Sequence, residues 1–182
     1  MPKVKKRNNF IFRLFDWSGK LFFTILYKVN NRVYMQLYPV FLRRLGVQIL
    51  GRPVYIAPSV NFDANDYTKI TLGDKCVISS SVRLLTHDYS VSRVAIAKGE
   101  KLVTEFRLIK PIFIGENSFV GTRSIIMPGV IIGKNVIVGA GSVVTRNIED
   151  NMIVAGNPAR IIGSIDEFWE KVKSNTEFQF YE

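Results

Sequence analysis

From Ile114 the chain keeps a beat of six. The segments I-G-E-N-S-F, V-G-T-R-S-I, I-M-P-G-V-I, I-G-K-N-V-I, V-G-A-G-S-V and V-T-R-N-I-E follow without a gap, and each begins on an aliphatic residue: Ile114, Val120, Ile126, Ile132, Val138 and Val144. A helix repeats its apolar face every 3.6 residues and a half-buried strand every 2, so neither produces this spacing. A hexapeptide period is the mark of a parallel β-helix. Each unit supplies one short strand and one corner, three units close a triangular coil, and coils stack about 4.8 Å apart through ladder hydrogen bonds. The aliphatic residue points into the prism. Four places on, a second inward position is filled by Ser118, Ser124, Val130, Val136 and Ser142. Gly115, Gly121, Gly133 and Gly139 follow the aliphatic residue, where a tight turn is expected to favour glycine.

The beat also runs towards the N-terminus. Sixes read from Leu50 as L-G-R-P-V-Y, I-A-P-S-V-N and F-D-A-N-D-Y, and the step of ten from Phe62 to Leu72 implies four residues inserted near Thr68 to Thr71. Leu72, Ile78 and Leu84 continue the phase, which then fails until Ile114. Asp88 falls where a small inward residue belongs, so the chain is expected to leave the prism as an extruded loop over 88–110 and to re-enter at Pro111. Loops of that length in compact domains are usually functional. After Val144 the next good aliphatic phase is Val154, and Ala155-Gly156-Asn157-Pro158-Ala159-Arg160 closes the column. Ser164-Ile165-Asp166-Glu167 has capping-box form and predicts a short helix through about Lys173, with Phe168 and Trp169 packing back on the prism end. Three parts result: an N-terminal segment 1–48, a β-helix domain 49–163 and a C-terminal helix and tail 164–182.

Charge is distributed unevenly between these parts. Residues 1–52 hold eleven Lys and Arg against Asp16 alone, while residues 53–182 hold fourteen of each sign. All of the net +10 therefore lies outside most of the repeat. A nucleic-acid enzyme would spread basic residues over its working surface, so that class is set aside. Phe10 to Val47 interleaves Phe, Trp and Tyr with Arg and Lys, which predicts amphipathic helices broken near Asn30-Asn31 and again at Pro39. Two readings are open: helices that cover the strand edges at the prism end, or a peripheral contact with anionic lipid. The charge-free apolar run Leu21 to Tyr27 is far short of the roughly 20 residues a spanning helix needs. No secretory signal is read in the segment. Cys76, the single cysteine, sits in a small inward slot and is expected to be a packed core thiol.

His87 is the only histidine. Three residues after the inward Leu84, it falls on an outward corner immediately before the extruded loop. An imidazole there suits general-base work near neutral pH. One histidine cannot supply the three imidazoles of a β-helical zinc hydrolase, and no metal is expected. G-A-G-S, residues 139–142, lacks the following G-K-[ST] of a nucleotide loop.

The repeat, V-G-A-G-S-V-V-T-R at 138–146, A-G-N-P-A-R at 155–160 and T-H-D-Y-S at 86–90 together resemble the hexapeptide-repeat acyltransferases, within them the galactoside, maltose and polysaccharide O-acetyltransferase branch. The likeness covers about Leu50 to Gly163. It implies a left-handed parallel β-helix, an exception to the right-handed crossover rule, and an acetyl-CoA-dependent enzyme with His87 as base. By the same resemblance Phe119 forms an aromatic wall, and Gly121 and Thr122 follow it, the Thr122 N–H serving as oxyanion donor. The bare Gly139-Ala140-Gly141-Ser142 stretch would take a pantetheine arm, with Thr145, Arg146 and Arg160 beside it meeting the coenzyme A phosphates. Asp63, and less directly Asp66 and Asp88, would bind a saccharide acceptor, although each also suits a turn. A homotrimer with sites between prisms is implied, as is a cytoplasmic location, at the inner membrane face if the N-terminal segment binds lipid. Two alternatives stay open: N-acetylation of a nucleotide-linked amino sugar, and a non-catalytic β-helix that binds membrane surfaces.

Overall fold

The structure, a computed structural model, describes residues 10–63 and 66–174, with side chains from Leu14 onward. The basic tail 1–9 and the final residues 175–182 lie outside them. Three parallel walls make the column. Wall A stacks Gln48–Ile49, Ile70–Leu72, Ile112–Ile114 and Ile131–Ile132. Wall B stacks Tyr55–Ile56, Val77–Ile78, Phe119–Val120, Ile137–Val138 and Met152–Gly156. Wall C stacks Asn61–Phe62, Arg83–Leu84, Ile125–Ile126 and Val143–Val144. The chain visits A, B and C in turn, and each circuit lies in register on the one before: Phe62 on Leu84, Leu84 on Ile126, Ile126 on Val144.

The inward aliphatic residues from Ile114 to Val144 are all buried, as are Ser118, Ser124 and Ser142 in the second inward slot. Those serines stay satisfied: Ser118 Oγ donates to the Gly133 carbonyl at 2.8 Å and Ser124 Oγ to that of Gly139 at 3.0 Å. A buried hydroxyl left without such a partner would cost about 1–3 kcal/mol. Cys76 is fully buried and its thiol is pushed up to about 12 by that burial, so it is no nucleophile at neutral pH.

Two details of the repeat differ from the sequence reading. In the first coil the inward residue is Ile49, paired with Leu72, and Leu50 is half exposed. The interval from Ile49 to Ile56 is seven because the chain makes an extra turn at Gly51, whose φ is +81°. The glycines that follow the aliphatic residue are not the left-handed ones. Left-handed backbone recurs three places after it, at Lys75, Ser81, Asn117, Arg123, Gly129, Asn135 and Gly141, where asparagine tolerates the conformation. Gly115, Gly121 and Gly133 are required instead by close stacking, since a Cβ on each would come within 3 Å of backbone in the next coil.

At the base of the column α1 (Phe10–Val29) and α2 (Asn31–Leu45) form a hairpin. Asn30 caps α2 by accepting from Val33 N at 3.0 Å, and Gly46, at φ +119°, ends it. The expected break at Pro39 is absent. Pro39 lies buried inside α2, where packing of Tyr34, Tyr38, Phe41 and Leu42 outweighs the lost backbone bond. Tyr34 Oη donates to the Ile56 carbonyl at 2.7 Å, and Tyr67 Oη donates to Asp16 at 3.0 Å while accepting from Lys20 Nζ at 2.8 Å. These bonds fix the hairpin to the first coil. No described helix is long and apolar enough to cross a membrane.

The excursion after wall C is folded. His87–Asp88 pairs antiparallel with Leu108–Ile109, and between them runs α3 (Ser90–Ala97). Ser92, fully buried, ties the two ends: its Oγ donates to the Phe106 carbonyl at 2.6 Å and accepts from Phe106 N at 3.0 Å. At the other end of the column Met152–Gly156 turns back through Ala159–Ser164 as an antiparallel hairpin, and α4 (Ile165–Lys173) begins on the capping box of Ser164 and Glu167. Phe168 and Trp169 do not pack back on the prism. They are 47% and 57% exposed, and α4 lies instead against the Ala159–Ser164 strand of the hairpin.

Candidate active site

His87 stands where its hexapeptide would otherwise turn left-handed. Because the chain leaves the prism there, His87 is extended and paired with Ile109, and its ring comes to the corner between walls C and A. One coil below, at the same corner, is Asp63. Its carboxylate is almost wholly buried, and three donors converge on Oδ2: Thr86 N at 3.0 Å, Thr86 Oγ1 at 2.9 Å, and His87 Nδ1 in close contact. The Tyr89 ring stands edge-on to the imidazole, centroids 5.3 Å apart. Asp63 and His87 line a pocket of about 490 Å³ whose other walls include Ser59, Asn61, Phe62 and Lys20 from α1.

The three aspartates are differently placed. Asp63, expected to face a sugar, lines the pocket, and its Oδ2 holds the imidazole. Asp66 accepts from Thr68 N and Oγ1 at 3.1 and 2.5 Å, which closes the turn Tyr67–Lys69. Asp88 accepts from Ser90 N and Oγ at 2.7 and 2.8 Å at the start of α3, and those bonds hold its carboxyl below the usual range. Neither lines the pocket. The Asp63–His87 adjacency was readable from the phase: Phe62 lies under Leu84 in register, so Asp63 lies under Leu85, two residues from the histidine. Lys20 carried no such signal, because no spacing relates α1 to the coils.

A second cluster lies at the corner between walls B and C. Gly121, Thr122, Gly139, Ala140 and Gly141 stack there on successive coils, and Gly141 N donates to the Thr122 carbonyl at 2.8 Å. Thr122, Ala140 and Gly141 are exposed, and a Cβ on Gly141 would meet nothing within 4 Å, so the corner is a bare channel. Arg160, exposed, pairs with Ala155 on the hairpin next to this channel. Thr145 and Arg146 are not beside it. They follow Val144 at the far edge of wall C, two coils or roughly 10 Å above His87. Within one chain the histidine corner and the glycine corner are thus a full wall apart, up to ~20 Å of extended chain. No described group of His, Cys, Asp and Glu could hold a metal ion.

The family pattern described as hexapeptide repeat of succinyl-transferase matches residues 111–146. Protein CapG of Staphylococcus aureus is 39% identical over 137 residues, which covers 75% of this chain and 77% of CapG. The chain belongs to the hexapeptide-repeat acetyltransferases. It is with them an acyl-transferring enzyme. The galactoside O-acetyltransferase of Escherichia coli K12 is 37% identical to this acetyltransferase over 121 residues, covering 65% of this chain and 54% of the relative. A solved galactoside acetyltransferase in complex with coenzyme A superposes with a TM-score of 0.57 at 22% identity, over 97% of this chain and 91% of that one. That likeness is one of fold, and it implies the left-handed winding expected from the resemblance.

Proposed function

We propose that this acetyltransferase moves an acetyl group from acetyl-CoA to a saccharide hydroxyl, with His87 as general base. The observation that carries the proposal is the contact of the Asp63 carboxylate with His87 Nδ1 in the corner pocket. A carboxylate on Nδ1 selects the tautomer protonated there and places the lone pair on Nε2. His87 then takes the hydroxyl proton at Nε2 as the acceptor oxygen bonds to the thioester carbonyl carbon. When the C–S bond breaks, His87 returns that proton to the departing thiolate, and neither a metal nor a covalent enzyme intermediate is needed. Thr122 N–H donates to the developing oxyanion. The channel at Gly139–Gly141 suits the slender donor arm, and Arg160 beside it, with Arg146 brought by a neighbouring copy, suits its phosphates. Ser59 and Asn61 give the pocket hydrogen-bonding groups that fit a polyhydroxyl acceptor.

A complete site on this reading takes two copies. The corner carrying His87 from one chain meets the corner carrying Thr122 and the glycines from the next, and a closed ring of three satisfies every copy alike. Equal coexpression of His87→Ala and Thr122→Pro chains, each inactive alone, is expected to restore about a quarter of wild-type activity, because only one pairing in four joins two intact corners. No recovery in mixed trimers would show that both groups act within one chain.

Asp63→Asn is expected to lower kcat on the order of 10²-fold or more, with KM for acetyl-CoA little changed, since the amide supports the wrong tautomer. Labelled acetyl-CoA offered with parallel panels of hydroxyl and amino sugars tests the acceptor class. Transfer confined to amino sugars would replace the O-acetylation reading.

A further inference from the structure

The helical hairpin has an apolar side that the column does not use. On α1, Phe23, Leu26 and Tyr27 face α2 and the first coil, and Gly19 is required there because a Cβ would run into the Phe41 ring. On the opposite face Leu14, Trp17, Leu21, Phe22, Ile25 and Val29 are each 50% or more exposed. At 100° per residue those six occupy less than half of the circumference. Leu37 and Val40 of α2, also exposed, extend the patch, and a groove of about 520 Å³ between the helices is lined by Phe15, Phe22, Leu37, Val40 and, at its rim, Arg44. A helix apolar on both faces is ordinarily a buried one, and contiguous exposed apolar surface marks an interaction site.

Charge identifies the occupant. Residues 1–52 carry eleven basic groups against one acid, among them Lys3, Lys5, Lys6 and Arg7 just before α1 and Lys28 at its end. A second copy of this face would oppose like charge to like charge. An anionic bilayer supplies both an acyl region for the Trp17, Leu21 and Ile25 stripe and a negative surface for the basic groups. The helix is too polar to cross, which leaves it lying in the interface.

We infer that α1 docks in the headgroup region of an anionic membrane and sets the His87 pocket beside the lipid surface, where the acceptor is a saccharide carried on that membrane. The orientation follows from Lys20, which sits on α1 and lines the His87 pocket. The docking stands on the hairpin alone; the nature of the acceptor rests on the saccharide-acetylating reading.

The test uses the full chain with Trp169→Phe, which leaves Trp17 as the sole tryptophan. Cosedimentation with vesicles containing roughly one third phosphatidylglycerol is expected at low salt, weaker by about tenfold or more on pure phosphatidylcholine or at high salt, with a blue shift of Trp17 emission. Leu21→Ser with Ile25→Ser is expected to weaken partitioning by about tenfold or more while melting and transfer to a soluble saccharide are unchanged. Failure to sediment with phosphatidylglycerol vesicles at low salt overturns the inference, as does sedimentation with unshifted Trp17 emission, which would be charge adsorption alone. A change of oligomeric state in the double variant without vesicle binding by the parent would assign the face to a second copy. Should the double variant not fold, quenching of Trp17 by brominated lipid decides in the otherwise native chain, and its absence overturns the docking. Vesicle binding without any acetyl transfer would sink the enzymatic reading and spare the docking; transfer to soluble saccharides without vesicle binding would do the reverse.

Discussion

His87→Ala is expected to lower kcat by about 10²- to 10⁴-fold, the range associated with loss of a positioned general base. The column should survive the change. The imidazole lies outside the prism and is partly exposed, and every inward residue of its coil keeps its neighbours. Asp63 loses one contact but keeps Thr86 N and Oγ1 on the same oxygen, so the stability cost is on the order of 1–3 kcal/mol. Steady-state kinetics with acetyl-CoA and the best saccharide acceptor, beside a thermal melt, separate the two effects. Partial recovery by added imidazole would tie the loss to the missing base. A kcat within twofold of wild type, in a variant that melts normally, would remove His87 from the chemistry.

What the sequence revealed and concealed follows from where each interaction is made. The prism was legible because Ile114, Val120 and their successors meet the same environment every six residues, so a single rule is repeated in plain view. The one-residue slip at Ile49 and Leu50 was not, because a left-handed turn at Gly51 lengthens one unit without disturbing its apolar character. Tertiary packing overrode local propensity at Pro39, which remains inside α2 under an aromatic cluster. The excursion showed as a gap in the beat, yet its helix did not: Ser90–Ala97 is set up by Asp88, a residue type that suits a sugar contact equally well. Site residues were recognisable one at a time, whereas their grouping depends on which of three corners each occupies. His87, three places past an inward residue on wall C, and Thr122, two places past one on wall B, belong to different corners.

The largest effect on folding is expected at Gly115. With Gly73 below and Gly133 above, it forms a column of glycines at one corner of the prism, and Asp150 closes the top. A Cβ on Gly115 would lie less than 3 Å from the Gly133 carbonyl, a rigid ladder group that cannot rotate aside. Gly115 N donates to the Ile132 carbonyl at 2.8 Å and Gly73 N to that of Ile114 at 2.7 Å, so relief of the clash means stretching ladder bonds on both sides. Gly115→Ala should therefore cost about 3 kcal/mol or more, the upper end for overpacking, because the neighbour cannot yield, and lower Tm by roughly 10 °C. Gly99→Ala is the informative contrast. Gly99 has nothing within 4 Å of a new Cβ but a φ of +86°, so its cost is conformational and about 1–2 kcal/mol. A melt of both variants against wild type separates stacking from backbone strain. If Gly115→Ala melted no lower than Gly99→Ala, the coils would have room between them that ladder spacing does not allow.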